Sequence, residues 1–256
     1  MLVLLPPSEG KTPRRRGAPV DLSSLSFPEL TPAREQVLTA LEKVSAGPDS
    51  LSVLGVGASL AEEVERNARW RTQPAVPASA LYTGVLYDAL DFATLPAGAK
   101  RRAATRLLVV SAAWGVLRPA DRVPPYRLSM HVDLPGVGPL ASFWRGRLSA
   151  VLDDATHDRL IVDCRSATYA AAWRPPSSER VVPVQVLREV AGRRTVVSHM
   201  AKQTRGQVAR ELMTHSGRDP RTPEQLAAIL ADRLGDGFAV ELADERGRTV
   251  LQIITS

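Results

Sequence analysis

The sequence predicts a single α/β domain, spanning residues 1–256, with a mixed central β-sheet flanked by helices. Three observations favour this fold class. Short β-rich apolar runs alternate with helical patterns along the whole chain. No internal repeat or low-complexity linker divides the chain. Hydrophobic residues make up 44% and charged residues 23%, which is ordinary for a folded domain and excludes a disordered or fibrous protein.

The first half of the chain is predicted to begin with a strand and to continue with helices. Residues 1–5 (MLVLL) form a short apolar run that two prolines end, which indicates a buried strand. Thr31 and Pro32 are typical of an N-cap and a first helical position, so a helix is expected from there to about Lys43. Ser59 is expected to cap the next helix. The run at 106–112 (RLLVVSA) predicts a second buried strand.

The second half alternates in the same way. Thr222, followed by Pro223 and Glu224, predicts the start of the last helix. The predicted helices lie at 141–153, about 203–214 and 223–234. The predicted strands are RLIVD (159–163), VVPVQVL (181–187), RTVVSHM (194–200) and a closing hairpin around Glu245-Arg246-Gly247.

Positive charge is concentrated in three segments. The chain carries 33 Lys and Arg against 27 Asp and Glu. Residues 1–20 have a net charge of +3, residues 100–127 of +6 and residues 193–218 of +5, so the rest is acidic. Such segregation suits a polyanionic partner if the segments converge in space. A compositional bias towards arginine on solvated faces explains it equally well.

Three motifs in the sequence have residues typical of specific chemistry. Gly10-Lys11-Thr12 follows a strand, but Leu5 stands where a phosphate-binding P-loop needs glycine, which excludes that loop. Leu134–Gly138 (LPGVG) matches the turn of a helix-hairpin-helix, but no helical pattern precedes it, so we favour a plain turn. Cys164 could be a thiolate activated by His199, although a lone cysteine beside an apolar strand is more typical of an inert core residue.

The cysteine and histidine content and the lack of long apolar runs indicate the cellular compartment of the protein and whether it holds a metal. A single cysteine excludes internal disulfides and fits a reducing compartment. No apolar run approaches a membrane span, and MLVLLPP is too short and uncharged for a signal peptide. We therefore expect a cytoplasmic protein, and a monomer. The histidines have no metal-ligand spacing, so we expect no metal and no cofactor.

One group of polar residues indicates a binding or catalytic site more strongly than these motifs do. Its cations follow strands or lie in turns marked by glycine or proline, where they can meet at one edge of a sheet. Cations together with hydroxyls suit a phosphate or nucleotide ligand, either bound or acted upon. The candidate phosphate-binding residues are Lys11, Thr12, Arg118, Arg127, Ser166, Lys202 and Arg205. The candidate catalytic residues are Asp121, Tyr169 and Lys202.

At these residues the sequence resembles the YaaA family of bacterial peroxide-stress proteins. The resemblance spans nearly the whole chain. Its segments are LVLLPPSEGKT (2–12), YTG (82–84), SAAWGVLRPADRVPPYRLSM (111–130), Phe143-Trp144, RSATYA (165–170) and SHMAKQTRG (198–206). Where the family has Ser-Pro-Ala-Lys-Thr, this chain has Pro-Ser-Glu-Gly-Lys-Thr.

The resemblance implies a mixed α/β domain with a positively charged cleft that binds double-stranded or distorted DNA. It also implies a helix-hairpin-helix-like element, which we place near 111–123 because 134–138 falls in a stretch that varies in the family. Family members limit free iron and so reduce oxidative damage to DNA and protein. Any effect of this chain on iron is expected to be indirect, since no set of ligands has the required spacing.

Two hypotheses follow from the sequence. In the first, the protein binds duplex or distorted DNA, and its cations contact phosphates. In the second, it is an enzyme acting on a nucleotide or a damaged base in the same cleft, with Asp121 or Tyr169 as general acid or base. Binding of DNA by charge alone does not require these polar groups. Their presence beside the cations therefore favours the second hypothesis.

Overall fold

An eight-stranded mixed sheet lies at the centre of the computed structural model, which describes residues 1–176, 178–197 and 199–255. The strands are β1 (Leu2–Leu5), β2 (Val76–Pro77), β3 (Leu107–Ser111), β4 (Gly115–Leu117), β5 (Arg122–Val123), β6 (Asp133–Leu134), β7 (Gly138–Pro139), β8 (Ile161–Asp163), β9 (Val181–Val190), β10 (Arg193–Val196), β11 (Phe238–Asp244) and β12 (Thr249–Thr255). The helices are α1 (Thr31–Ser45), α2 (Ser50–Leu54), α3 (Ala61–Asn67), α4 (Ala78–Leu81), α5 (Val85–Leu90), α6 (Ala97–Arg106), α7 (Leu140–Thr156), α8 (Ala167–Ala170), α9 (His199–Thr214) and α10 (Pro223–Arg233). The predicted α/β class with a mixed sheet is confirmed.

The strand order is β11-β12-β9-β8-β1-β3-β4, with β10 also pairing with β9. The centre of the sheet is parallel, since β1 pairs with β3 and β8, β8 with β9, and β9 with β12. Every residue of β1 and β3 is buried. Burial on both faces explains why these strands are continuous apolar runs rather than alternating ones.

The chain changes direction across the sheet beside β1. After β1 it continues to β3 on one side, and it later returns to β8 on the other. In open α/β sheets, such a switch point leaves a crevice at the carboxyl ends of the two central strands. The loops that leave β1 and β8 therefore open into the same space.

Glycine allows the helix beside this crevice to pack closely. Gly206 lies in α9, and a Cβ atom there would overlap the carbonyl oxygen of Leu86 in α5. The side chain of Ala89 would be 2.8 Å away. Glycine therefore lets α9 approach α5 closely enough to wall the crevice.

Several sequence predictions of elements hold, and their boundaries shift. Thr222 caps α10, its hydroxyl accepting a hydrogen bond from the backbone N–H of Gln225. Thr31 and Ser59 do not act as caps, because each follows or lies within a 3₁₀ turn that already leads into the helix. The predicted strand at 194–200 ends at Val196, and α9 begins at His199. Residue 198 lies outside the described residues.

The proposed position of the helix-hairpin-helix was wrong. Residues 111–123 contain the end of β3, the whole of β4 and β5, and no helix. β3 and β4 form a tight antiparallel pair whose turn is buried against Trp144. Residues 133–139 are a small β-hairpin, with Gly136 and Gly138 at positive φ, that leads into α7. The plain-turn interpretation of that segment is confirmed.

Candidate functional site

The loop after β1 is fastened to α5 and to the segment that precedes it. The hydroxyl of Tyr87 donates to the Pro6 carbonyl at 2.7 Å, and the Thr83 backbone N–H donates to the hydroxyl of Ser8 at 3.0 Å. Gly10 lies against Thr83, where a Cβ atom would be only 2.9 Å from its hydroxyl oxygen. An isolated bridge joins Lys11 to Tyr82. The PPSEGKT and YTG segments thus form one wall of a pocket.

Lys11 is the partly buried cation of this wall. Its Nζ donates to the Ser8 carbonyl at 2.7 Å and to the Glu9 carbonyl at 3.2 Å. The Nζ also lies 4.3 Å from the centroid of the Tyr126 ring. Burial, assisted by the nearby charge of Arg127, lowers the pKa of Lys11 to about 7. The amine is therefore substantially unprotonated at neutral pH.

Arg127 also lines the pocket, on a backbone that α3 holds in place. The buried Asn67 side chain accepts from the Arg127 N–H at 2.8 Å and donates to its carbonyl at 2.9 Å. The guanidinium forms ion pairs with Glu9 at 3.3 Å and with Glu63 at 3.4 Å. An incoming anion would therefore compete with two carboxylates for Arg127.

The loop after β8 brings Ser166 and Tyr169 to the pocket. Asp163 and Arg165 form a buried ion pair at 2.7 Å, and the Arg165 guanidinium also donates to the Tyr169 carbonyl at 3.4 Å. This pair fixes the short helix α8 that follows. Burial raises the pKa of the Tyr169 hydroxyl to about 12. At neutral pH Tyr169 is therefore a hydrogen-bond or proton donor and not a base.

Helix α9 contributes Lys202 and Arg205, which lie one turn apart on the same face. Lys202 is exposed. Arg205 is half-buried, and its guanidinium donates to the Val184 carbonyl at 3.0 Å. Val184 lies in β9 between the residues that pair with β8 and those that pair with β10. Arg205 therefore supplies a hydrogen bond where the sheet has a gap, and it lines the pocket as well.

Ser129 and His131 are pocket residues that the sequence did not identify. The Ser129 hydroxyl and the Nδ1 atom of His131 are 2.8 Å apart, and the direction of this hydrogen bond depends on the tautomer of the ring. Ser129 lies in the YRLSM segment (126–130), which is the signal in the sequence that could have identified it. The sequence gives no reason to select His131, because the histidines have no metal-ligand spacing.

These walls enclose a pocket of about 450 Å³. Its apolar lining includes Pro6, Pro7, Val56 and Leu86. Of the predicted residues, the structure brings together Lys11, Arg127, Ser166, Tyr169, Lys202 and Arg205. They come from all three basic segments and from the loop after β8.

Three predicted residues lie elsewhere, which corrects the expected convergence. The buried carboxylate of Asp121 accepts hydrogen bonds from the backbone and hydroxyl of Ser26, both at 2.9 Å, and from the Arg118 N–H at 2.7 Å. Asp121 therefore holds loops together and does not line the pocket. The Arg118 guanidinium donates to the Ala104 carbonyl and stacks over Phe27. The Thr12 backbone N–H bonds to the Leu81 carbonyl beyond the pocket lining.

Two other sequence expectations concern reactive groups and metals. Cys164 is fully buried, and burial raises the pKa of its thiol to about 12, so the core interpretation is the one the structure supports. The His199 side chain lies outside the described residues. In the described part of the chain, no group of three or more His, Cys, Asp or Glu side chains could hold a metal ion. No helix there is long and apolar enough to cross a membrane.

Chemically, the pocket combines cations with hydroxyls beside an apolar wall. This combination matches a phosphate attached to a sugar or a base, because the cations suit the anion and the wall suits a flat or apolar group.

Comparison with known proteins gives a consistent result. The family model described as "Peroxide stress protein YaaA" matches residues 1–236. A UPF0246 protein of Streptomyces coelicolor is 48% identical over 252 residues, covering 97% of this chain and 95% of the relative. A UPF0246 protein of Corynebacterium efficiens is 41% identical over 256 residues, covering 99% and 100%. One from Cereibacter sphaeroides is 34% identical over 216 residues, covering 82% and 79%. The chain belongs to the YaaA family of peroxide stress proteins.

Proposed function

We propose that this member of the family binds duplex or distorted DNA, and that the pocket cations contact backbone phosphate. The observation that carries the proposal is the meeting of Lys11, Arg127, Lys202 and Arg205, from widely separated parts of the chain, at one pocket. Each cation that replaces a condensed counterion on a phosphate adds to affinity in a salt-dependent way. In the cell, this binding would protect DNA, and protein indirectly, during peroxide stress, with the effect on free iron also indirect.

The four cations are not equally available to bind phosphate. Arg127 is paired with two carboxylates, Lys11 is largely unprotonated near pH 7, and Arg205 already serves a backbone carbonyl. Lys202 is exposed, and within the described residues it forms no ion pair. Lys202 is therefore the cation from which phosphate binding should gain most.

Fluorescence anisotropy with labelled duplex, bubble and junction DNA across a salt series tests this proposal. Lys202→Ala should weaken binding on every sequence and lower the salt slope by about 0.9 per lost phosphate contact. The matched control is Lys43→Ala, which removes the same charge from an exposed position on α1, away from the pocket. Unchanged affinity in both Lys202→Ala and Arg205→Ala would contradict the proposal.

A second function, an enzyme acting on a nucleotide or a damaged base, is favoured by the shape of the site. A pocket of about 450 Å³ lies within the size range of small-molecule sites, and a flat duplex surface does not fill it. We propose no role for Asp121 in such a reaction, because it does not line the pocket. Tyr169 remains the candidate proton donor. Native mass spectrometry of the purified protein, followed by a screen of nucleotides and lesion-bearing DNA, tests this function; a pocket free of nucleotide and no turnover would refute it.

A further inference from the structure

The Lys11 amine is placed differently from the other cations of the pocket. It donates to two backbone carbonyls, at 2.7 and 3.2 Å, and no carboxylate of the described residues lies within ion-pair distance of it. A neutral primary amine has two N–H groups and one lone pair. The two carbonyls therefore satisfy both donors of the neutral form and leave the lone pair available.

This placement suits a nucleophile better than a phosphate clamp. Lysines that are desolvated and lack an acidic partner are the ones that condense with carbonyl groups. The lowered pKa of Lys11, about 7, agrees with that role, because a surface lysine would be almost wholly protonated at neutral pH. An amine in this state adds little to phosphate binding.

The neighbours of Lys11 indicate the class of carbonyl compound. Arg127, Lys202 and Arg205 share the pocket and suit phosphate groups, while Ser166 offers a hydroxyl. A ligand that satisfies both features carries a phosphate and an aldehyde on one small sugar. When DNA loses a base, the deoxyribose left behind opens to such an aldehyde, and phosphates flank it.

We propose that Lys11 forms an imine with the aldehyde of a ring-opened sugar phosphate, which in DNA is the deoxyribose of a site that has lost its base. This inference rests on the proposed function, since it names the form of DNA that the pocket takes. The Nζ lone pair adds to the aldehyde carbon, and a proton passes from nitrogen to the carbonyl oxygen to give a carbinolamine. The hydroxyl then leaves as water together with the remaining proton of the nitrogen, while the C=N bond forms. No oxidant or reductant is consumed.

Reductive trapping tests the imine directly. The full-length protein would be incubated with a labelled duplex that contains one abasic site, with sodium cyanoborohydride present, and resolved on a denaturing gel. We expect a covalent complex that is absent with intact duplex. Lys11→Arg keeps a cation but cannot form the imine, so trapping should fall by about tenfold or more. Lys43→Arg is the matched control and should trap like the wild type.

The small number of lysines makes it straightforward to identify which one carries the adduct. The chain has four, at positions 11, 43, 100 and 202, so peptide mapping of the reduced adduct should find the added mass on Lys11. Trapping should also rise with pH around 7 and not around 10. If Lys11→Arg does not fold, as judged by circular dichroism, mapping of the wild-type adduct decides the question. An adduct on Lys202, or unchanged trapping in folded Lys11→Arg, would overturn the proposal.

The same experiment separates this inference from the proposed function. Protein that binds the abasic duplex without being trapped would refute the imine and leave DNA binding intact. Protein that does not bind DNA would refute the proposed function, and free 2-deoxyribose 5-phosphate with cyanoborohydride would then test Lys11 alone. Labelling of Lys11 by this small aldehyde would support the imine with a free sugar phosphate, and labelling spread evenly over the four lysines would refute it.

Discussion

At the scale of single residues, Lys11 makes the stability of the protein depend on pH. Its pKa is about 7 in the folded protein and near 10.5 when exposed in the unfolded chain. Between these values the unfolded state binds a proton that the folded state does not, so stability should rise with pH. The gain should be complete near pH 10.5, and below pH 7 this contribution should no longer change.

Comparison with Lys11→Met isolates this contribution. Urea unfolding of both proteins at several pH values from 6 to 10 gives the difference in their free energies of unfolding. The free energy of unfolding of the wild type should rise relative to that of the variant as pH rises above about 7, because only the wild type loses a proton on folding. A difference that stays constant across this range would show that Lys11 has an ordinary pKa in the folded protein.

Cys164 should be inert towards thiol reagents in the native protein. Its side chain is fully buried, and burial raises its pKa to about 12, so neither access nor thiolate is available at pH 8. A chromogenic disulfide reagent should react with less than about 5% of the native thiol in an hour and with all of it in denaturant. Fast reaction of the native protein would show that the loop after β8 opens.

The pocket cations that the sequence predicted lie on two kinds of element. Lys11 and Arg127 lie in loops, whereas Lys202 and Arg205 lie on the helix α9 and not in a turn or at a strand end. The sequence could not show that hydrogen bonds from Ser26 occupy the Asp121 carboxylate, because these residues are 95 positions apart. Nor could it show the contact between Ser129 and His131 facing the pocket, since this depends on the path of the loop after Tyr126.

At the scale of elements, the contact between α5 and α9 depends on a single glycine. Gly206→Ala would place a methyl group against the Leu86 carbonyl, which belongs to the backbone and cannot move aside cheaply. We expect a loss of about 3 kcal/mol or more of stability, measured by urea unfolding. Gly146→Ala is the control: it lies in α7 with nothing within 4 Å of the new methyl group. That substitution should stabilise by about 0.5–1 kcal/mol.

The presence of a helix or strand was easier to predict than the residues at which it begins and ends. Long apolar or periodic segments gave β1, β3, α7 and α10 nearly in place. Thr31 and Ser59 were misjudged because a 3₁₀ turn precedes or contains each of them, so the backbone is already helical where a cap would need it extended. Thr222 follows an extended segment and does act as a cap.

At the scale of the whole molecule, one carboxylate ties distant parts of the chain together. Asp219 forms ion pairs with the N-terminal ammonium group of Met1 at 3.1 Å and with Arg106 at 2.8 Å. These groups come from the start of β1, the end of α6 and the loop before α10. Asp219 therefore closes the end of the sheet opposite to the pocket.

Asp219→Ala should destabilise the fold, because it leaves two cations beside the sheet without their partner. We expect a loss of about 1–3 kcal/mol at pH 7, read from the urea midpoint. Asp158→Ala, which removes an exposed carboxylate paired with Arg180, should leave the midpoint unchanged. Equal effects of the two substitutions would contradict the bracing role of Asp219.

The order of the strands in the sheet could not be predicted from the sequence. Local patterns predict that β1 and β8 exist, but their pairing joins residues about 160 positions apart and depends on the packing of everything between. The same holds for the gap in β9 that Arg205 fills. The predicted class of mixed sheet was right because alternating strands and helices limit the possible architectures.

The two walls of the pocket also lie far apart in the order of synthesis. Lys11 leaves the ribosome early, Arg127 midway, and Lys202 and Arg205 only when three quarters of the chain has been made. A nascent chain therefore carries scattered cations and no formed pocket until α9 has emerged and packed on α5. A protein built in this way completes its anion site late, so during translation the RNA around it meets only separate basic segments and not the assembled pocket.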